Sequence, residues 1–351
     1  MSYAVHPSFE TAIRPAVLRF DLPTAPSEAP ERTIAAGRFL GRRRIERVRD
    51  RLRIAVVDRV FEPEADELER DWVASVAAPA FGLLARRRAP GAWHAFASIG
   101  TGVGLDALAA VELLGVDEIG VTDLFPDVVA AAERNIRANV RETVPLTLHA
   151  GAGDLLEPLH GLGVRFDVIW ENLPNLPIDD PALIAVARTA ASFVPPRPEP
   201  VPRPVAEALL VLHHLALEDA RNLLAPGGSV LSAIGTRMAL RTLLEMSELS
   251  GYAASFLTFG WKEQTSVEDV VGIYAALETR GLGPFRFYEA DRLAAVFARL
   301  DPETAGREAE EIERDLEPAR LGAVEALAAH RAGRRIGHTV AVLESRSIGR
   351  R

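Results

Sequence analysis

The chain has 351 residues, a formal net charge of −9, no cysteine, and is 25% charged and 48% hydrophobic. That length suits one large decorated domain or two modest ones, and it can bury a core without metal or disulfide. The missing cysteines exclude thiol nucleophiles, thiolate zinc sites and iron–sulfur clusters. The acidic balance argues against nucleic acid as a partner despite the cluster Arg42, Arg43 and Arg44. No apolar run is long enough for a membrane span and the N-terminus lacks a secretory pattern, so a cytoplasmic enzyme is expected.

In chain order, residues 1–30 are rich in Pro, Ala and Ser and read as an arm or lid. Residues 31–50 space Ile34, Phe39, Leu40, Ile45 and Val48 as an amphipathic helix. Arg53 to Phe61 reads as a strand or hairpin arm, and helical pattern returns from Glu64 to Leu84. From Trp93 the pattern sharpens, with short apolar runs at 94–99, 118–122, 146–149, 167–170 and 229–234 and helices at 104–114 and 126–139 between them. Strands alternating with helices at this pitch predict a parallel sheet covered on both faces. Residues 194–204 are polyproline-like, a stiff surface crossing or an SH3-type ligand, and a long helix is expected over 204–224. A strand over 253–259, a helix to Thr279 opened by Ser266 and Asp269 as a capping box, a charged helix over 301–331 and a final strand over 337–344 complete the reading.

The chemistry begins at Ser98-Ile99-Gly100-Thr101-Gly102-Val103-Gly104. Strand, alternate glycines and helix make a nucleotide-cradling turn, in which Gly100 and Gly102 admit a ligand to the backbone amides and Gly104 permits close helix–strand packing. Asp123 ends the next strand, where a carboxylate accepts both ribose hydroxyls or caps the following helix. After the third strand, Asp154 and Leu155 can read an adenine edge through an acid and an amide. Asn172-Leu173-Pro174-Asn175 follows the fourth strand. Four landmarks at the carboxyl ends of successive strands sit where an open α/β sheet binds ligands.

From about Phe61 to Tyr252 the chain resembles class I S-adenosylmethionine (SAM)-dependent methyltransferases, particularly the branch of release-factor glutamine N-methyltransferases and other amino methyltransferases with an Asn-Pro-Pro-Tyr-type signature. Val60-Phe61-Glu62-Pro63 is similar to a segment preceding the fold in part of that branch. The resemblance implies an α/β, Rossmann-like, seven-stranded, mostly parallel sheet. The N-terminal arm, the proline segment and residues 262–335 have no counterpart in that resemblance; from the chain's own pattern, residues 1–90 are expected to form an N-terminal arm and helical lid, and 91–351 the catalytic domain, with a helical insertion at about 262–335 before the last strand. The resemblance further implies SAM as cofactor, with Ser98, Gly100, Thr101, Gly102 and Gly104 along its methionine part, Asp123 and Leu124 at the ribose, Asp154 and Leu155 at the adenine, and Asn172 bordering it. Asn172, Pro174 and Asn175 would be the catalytic residues, and no metal is called for.

Two departures bear on the reaction. The family's acid two positions before the first glycine is Ser98 here, and the aromatic that stacks on a flat substrate is Asn175. The expected reaction is methyl transfer to a nitrogen of a small molecule, oriented by Asn172. A SAM-consuming cyclase or alkyl transferase is the alternative. There the SAM amine, left neutral by the absent acid, attacks its own γ-carbon and releases methylthioadenosine and a ring such as azetidine-2-carboxylate. Protein glutamine N-methylation is a second alternative; a dinucleotide dehydrogenase and a catalytically silent binding fold stand outside the class. A homodimer is left open. His213 or His214 as general base, His94, and the chain's one lysine, Lys262, beside Trp261 are weaker candidates.

Overall fold

The computed structural model describes residues 30–87, 89, 91–177, 193–194 and 196–348; the arm expected over 1–30 therefore lies, apart from Pro30, outside the described residues. The central sheet is built from β3 (Ala95–Ile99), β4 (Glu118–Asp123), β5 (Thr147–Ala152), β6 (Phe166–Glu171), β9 (Leu224–Thr236), β10 (Tyr252–Glu263) and β12 (Ile336–Ser347). Its order is β10-β12-β9-β6-β3-β4-β5, with the two-residue β11 (Tyr288–Glu289) added to β12. β5, β4, β3, β6 and β9 pair in parallel, and β12 runs antiparallel to both of its neighbours, so β10 points with the parallel set.

The period of two in the strands explains why the sheet carries a core on each face. On β3, Phe96 packs with α3 (Leu105–Leu113), α4 (Pro126–Asn139) and the N-terminal region, while Ala95, Ala97 and Ile99 pack with α6 (Val211–Ala220) and α7 (Leu240–Leu249). β6 divides the same way, Val168 and Trp170 to the first face and Phe166 and Ile169 to the second. α2 (Ala78–Arg86) is held by Phe81, whose ring sits edge-on to Phe96 and Trp170 with centroids 5.5 and 5.0 Å away.

Several helices expected from periodicity are broken or replaced. Residues 31–50 contain β1 (Glu31–Ala35) and the single-turn α1 (Ala36–Phe39), and β1 pairs antiparallel with β2 (Arg51–Ala55). The reason is tertiary. Asn135 and Asn139, one turn apart on α4, hydrogen-bond the amides and carbonyls of Ala55 and Arg53 along the β2 edge at 2.8–2.9 Å. The same apolar residues that would face one side of a helix are thereby buried from a hairpin. The 64–84 helix starts late, as a π-helical turn Val73–Ala77 running into α2.

The 204–224 helix splits into α5 (Arg203–Glu207) and α6 around Leu209 at φ 59°. The 301–331 helix is three pieces, α10 (Pro302–Arg307), α11 (Ala309–Leu316) and α12 (Ala323–Arg331). Ser266 precedes α8 (Val267–Thr279), but at φ 47° and without a side-chain cap bond, so the expected capping box is not made. α8, α9 (Ala290–Phe297) and α10–α12 lie between β10 and β12, where the helical insertion was expected.

Candidate functional site

Four strand ends define the site. Ile99 is level with Thr122 and Glu171, and Asp123 with Ala152, so the segments following β3, β4, β5 and β6 emerge side by side. Gly100, Gly102 and Gly104 have φ of 65°, 53° and 82°, a left-handed conformation in which any side chain would be strained. A Cβ on Gly104 would also meet Ile136 at 3.2 Å, whereas one on Gly102 would face open space. The turn is therefore packed against α4 at its last glycine and open at its middle one.

Asp123 closes the turn from the side. Its carboxylate accepts the Gly102 and Phe125 amides, each at 3.3 Å, and burial pushes its pKa up to about 6. Leu124, next to it, is 54% exposed, an apolar side chain offered to solvent at the same edge. Arg59 stacks on Phe125 at 4.7 Å and pairs with Asp127 at 2.5 Å, which sets the Val60–Pro63 segment beside this loop.

Ser98 is not without an acid. Its hydroxyl donates to Asp106, a buried carboxylate in the first turn of α3 that also accepts the Thr101 hydroxyl at 3.4 Å. Burial raises the Asp106 pKa to about 6 against the pull of those bonds. A carboxylate therefore lies directly behind the strand residue two positions before Gly100, on the helix side.

Asp154 and Leu155 stand at the carboxyl end of β5, but Asp154 is already engaged. Arg197, from the proline-rich segment, grips both of its oxygens at 2.6 and 2.7 Å and also holds Glu199. The polyproline crossing is thus clasped over this corner of the site. Leu155 is forced to φ 44°, and the following Leu156 amide is held by Asp219 of α6 at 2.8 Å.

After β6, Asn172 is exposed and its side chain makes no hydrogen bond among the described residues, while Leu173 lies against Gly100 and Pro174 is half-buried. Asn175 turns inward. Its amide donates to the Leu209 carbonyl and to His213 Nε2, each at 3.2 Å, and His213 Nδ1 sits 2.8 and 2.9 Å from the two oxygens of Glu171. Because the Leu209 carbonyl fixes which end of the Asn175 amide faces the imidazole, Nε2 must accept and Nδ1 must carry the proton. Glu171 and His213 are fully buried. The pair has a signal in the sequence, since a glutamate ending an otherwise apolar strand needs a buried partner.

The weaker candidates separate. His94 precedes β3 at the opposite edge of the sheet, and His214 is buried against Ser250 at 2.7 Å. Lys262, near the end of β10, is buried and donates to the Glu69 carbonyl at 2.8 Å and to Ser75 at 2.9 Å, with Trp72 5.4 Å away; burial pushes its pKa down to about 8. It ties the N-terminal region to the sheet. Among the described residues no group of His, Asp and Glu is arranged to hold a metal, and no helix is long and apolar enough to cross a membrane.

No family model matches the chain. Over 78 residues, 22% of the chain, it is 37% identical to ribosomal protein L11 methyltransferase of Synechococcus elongatus, and equally to that of a second Synechococcus strain. The match spans about a quarter, 26%, of those relatives' length. Among solved structures, it is similar to a ribosomal protein L11 methylase of Lactobacillus delbrueckii subsp. bulgaricus (17% identity, TM-score 0.33, 50% of this chain and 68% of that one). The YcgJ protein of Bacillus subtilis is another (14% identity, TM-score 0.37, 77% and 99% covered). With β5-β4-β3-β6-β9 parallel, β12 reversed between β9 and β10, and the glycine turn after β3, the chain has the Rossmann-like fold of class I SAM-dependent methyltransferases.

Proposed function

We propose that the protein is a SAM-dependent methyltransferase that acts on a nitrogen of a small molecule. The observation that carries the reading is Asn172, exposed and unengaged among the described residues, one residue past the strand end that stands level with the glycine turn. The residues fit SAM by their chemistry: Gly102 faces open space, Asp123 offers a carboxylate for a diol, and Leu124 offers an apolar face for a base. When bound, SAM supplies an electrophilic methyl on a sulfonium.

The protein's part is positioning. The Asn172 carbonyl oxygen accepts from an amine and holds its lone pair toward the cofactor side of the cleft, which converts binding energy into alignment. Asn175 stays inside, and the Glu171–His213 pair fixes the base of the loop that presents Asn172. Asp106 behind Ser98 favours a charged amine at the glycine turn, which supports methyl transfer over the cyclisation alternative, where that amine has to be neutral.

The test is product analysis. Incubation with SAM and a panel of amines is expected to give S-adenosylhomocysteine only when an acceptor is present. Methylthioadenosine formed from SAM alone, above the spontaneous rate, would overturn the reading in favour of cyclisation. The match to ribosomal protein L11 methyltransferases motivates a second reading, a protein amine as acceptor. Labelled methyl appearing in ribosomal protein and in none of the small amines would select it.

A further inference from the structure

Net charge belongs to the whole chain, and here it hides a segregation of sign. Residues 31–59 hold ten arginines against four acids, Glu31, Glu46, Asp50 and Asp58, in a chain whose net charge is −9. This segment contains the β1–β2 hairpin, and its hydrogen bonds fix where it sits. The amides of Glu46, Arg47 and Val48 donate to the Glu112 carboxylate near the end of α3 at 2.7–3.0 Å, and Arg47 Nη2 donates to the Val116 carbonyl just before β4. The Arg49 amide and guanidinium donate to the carbonyls of Asn139 and Ala138 at the end of α4. Helices end and strands begin at the amino edge of a parallel sheet, so these arginines stand on the side of the molecule opposite the glycine turn.

Arg38, Arg42, Arg43, Arg49 and Arg51 are exposed, and among the described residues none of them pairs with a carboxylate. They are also neighbours. Arg38 and Arg51 line one cavity of about 160 Å³. The Ala36 amide donates to the Asp50 carbonyl at 2.9 Å, which brings the Arg49–Arg51 stretch to α1, and the Arg42 amide donates to the Gly37 carbonyl at 2.8 Å, beside Arg38. The acids nearby offset them only in part. Asp50 is taken by Arg141 at 2.7 Å, Glu46 by Arg44 at 3.3 Å, and Asp66, which shares the cavity, meets Arg38 through its carbonyl. Like charges gathered this way repel one another, and a bound polyanion removes that repulsion.

We propose that this face docks on the phosphate backbone of a double-stranded nucleic acid, at the sheet edge away from the cofactor cleft. Guanidinium forks match phosphate oxygens, and release of condensed counter-ions drives the contact. The large apolar side chains left exposed among the described residues, such as Phe61 and Leu124, all fall outside 31–59, so the face lacks the apolar anchor of a protein interface. Its one aromatic, Phe39, is buried, so unpaired bases have nothing to stack on, which favours a duplex over a single strand. The docking does not depend on which acceptor is methylated.

Fluorescence anisotropy tests it, with the intact protein titrated into a labelled RNA duplex of about 20 base pairs, the DNA duplex of the same sequence, and the single strands. Saturable binding to at least one duplex is expected, with log affinity falling against log salt at a slope of about −4. Arg42→Gln with Arg43→Gln is expected to weaken binding about tenfold or more at low salt and to flatten the slope by about 2, and Arg51→Gln by about 1, with melting temperatures unchanged. Arg292→Gln with Arg299→Gln removes as much charge from exposed positions in and after α9 and is expected to change neither quantity. No duplex binding at about 50 mM salt, equal weakening by the two arginine pairs, or a slope shallower than about −1 would each overturn the proposal. So would single strands or polyglutamate bound as tightly as the duplexes, or self-association of the protein that the Arg42→Gln, Arg43→Gln variant loses.

Discussion

The Ser98 hydroxyl donates to the carboxylate of Asp106, eight residues along and in the first turn of α3, so a carboxylate lies behind the strand that lacks one. Removing that charge with Asp106→Asn is expected to weaken SAM binding about tenfold, or roughly 1.4 kcal/mol. Ser98→Ala, which keeps the charge, should cost less. Calorimetry on both variants measures the order, and equal losses would show that the hydroxyl rather than the charge matters.

Asp106 and Asp123 also set a pH dependence. Each has its pKa raised by burial to about 6. A carboxyl group raised on folding contributes stability that is fully present below its unfolded value near pH 4 and is lost as pH rises through about 6. The ligand-free protein should therefore be more stable at pH 5 than at pH 7.5. Asp123→Asn should regain about 1–2 kcal/mol at pH 7.5, after allowance for its partial solvent access, and should bind SAM far more weakly. Thermal melts at the two pH values, with and without SAM, test both halves.

Asn135 and Asn139 each bond an amide and a carbonyl on the β2 edge. Asn135→Ala or Asn139→Ala leaves those partly buried groups without their protein partner and is expected to cost about 1–2 kcal/mol. Urea unfolding would show it, with hydrogen exchange rising first in 31–55.

The Asp154–Arg197 clasp is bidentate and half-buried. Arg197→Gln and Asp154→Asn should each speed backbone exchange several-fold over 196–201, and the double variant should add nothing further. Additive effects would mean that the segment is held by packing instead.

The parallel sheet was legible because its strands are continuous apolar runs bounded by glycine and acid, a pattern that local spacing carries. The glycine turn, Asp123 and Asn172 were legible for the same reason, since each sits at a fixed offset from a strand end. The hairpin over 31–55 was not. Its apolar residues satisfy a helical period as well as a strand period, and the choice was made by two asparagines about 80 residues away.

The sequence by itself determined the sheet and the line of candidate residues along its carboxyl edge, because strand periodicity and turn glycines are local. Only the tertiary structure decided which charges act together. Ser98 met its acid through the start of a helix, and Asp154 met Arg197 across 43 residues. Glu171 met His213 across the sheet–helix interface, and Arg237 met His338 on a neighbouring strand. Burial makes each of these groups demand a partner, and only the packed chain specifies which partner lies within reach.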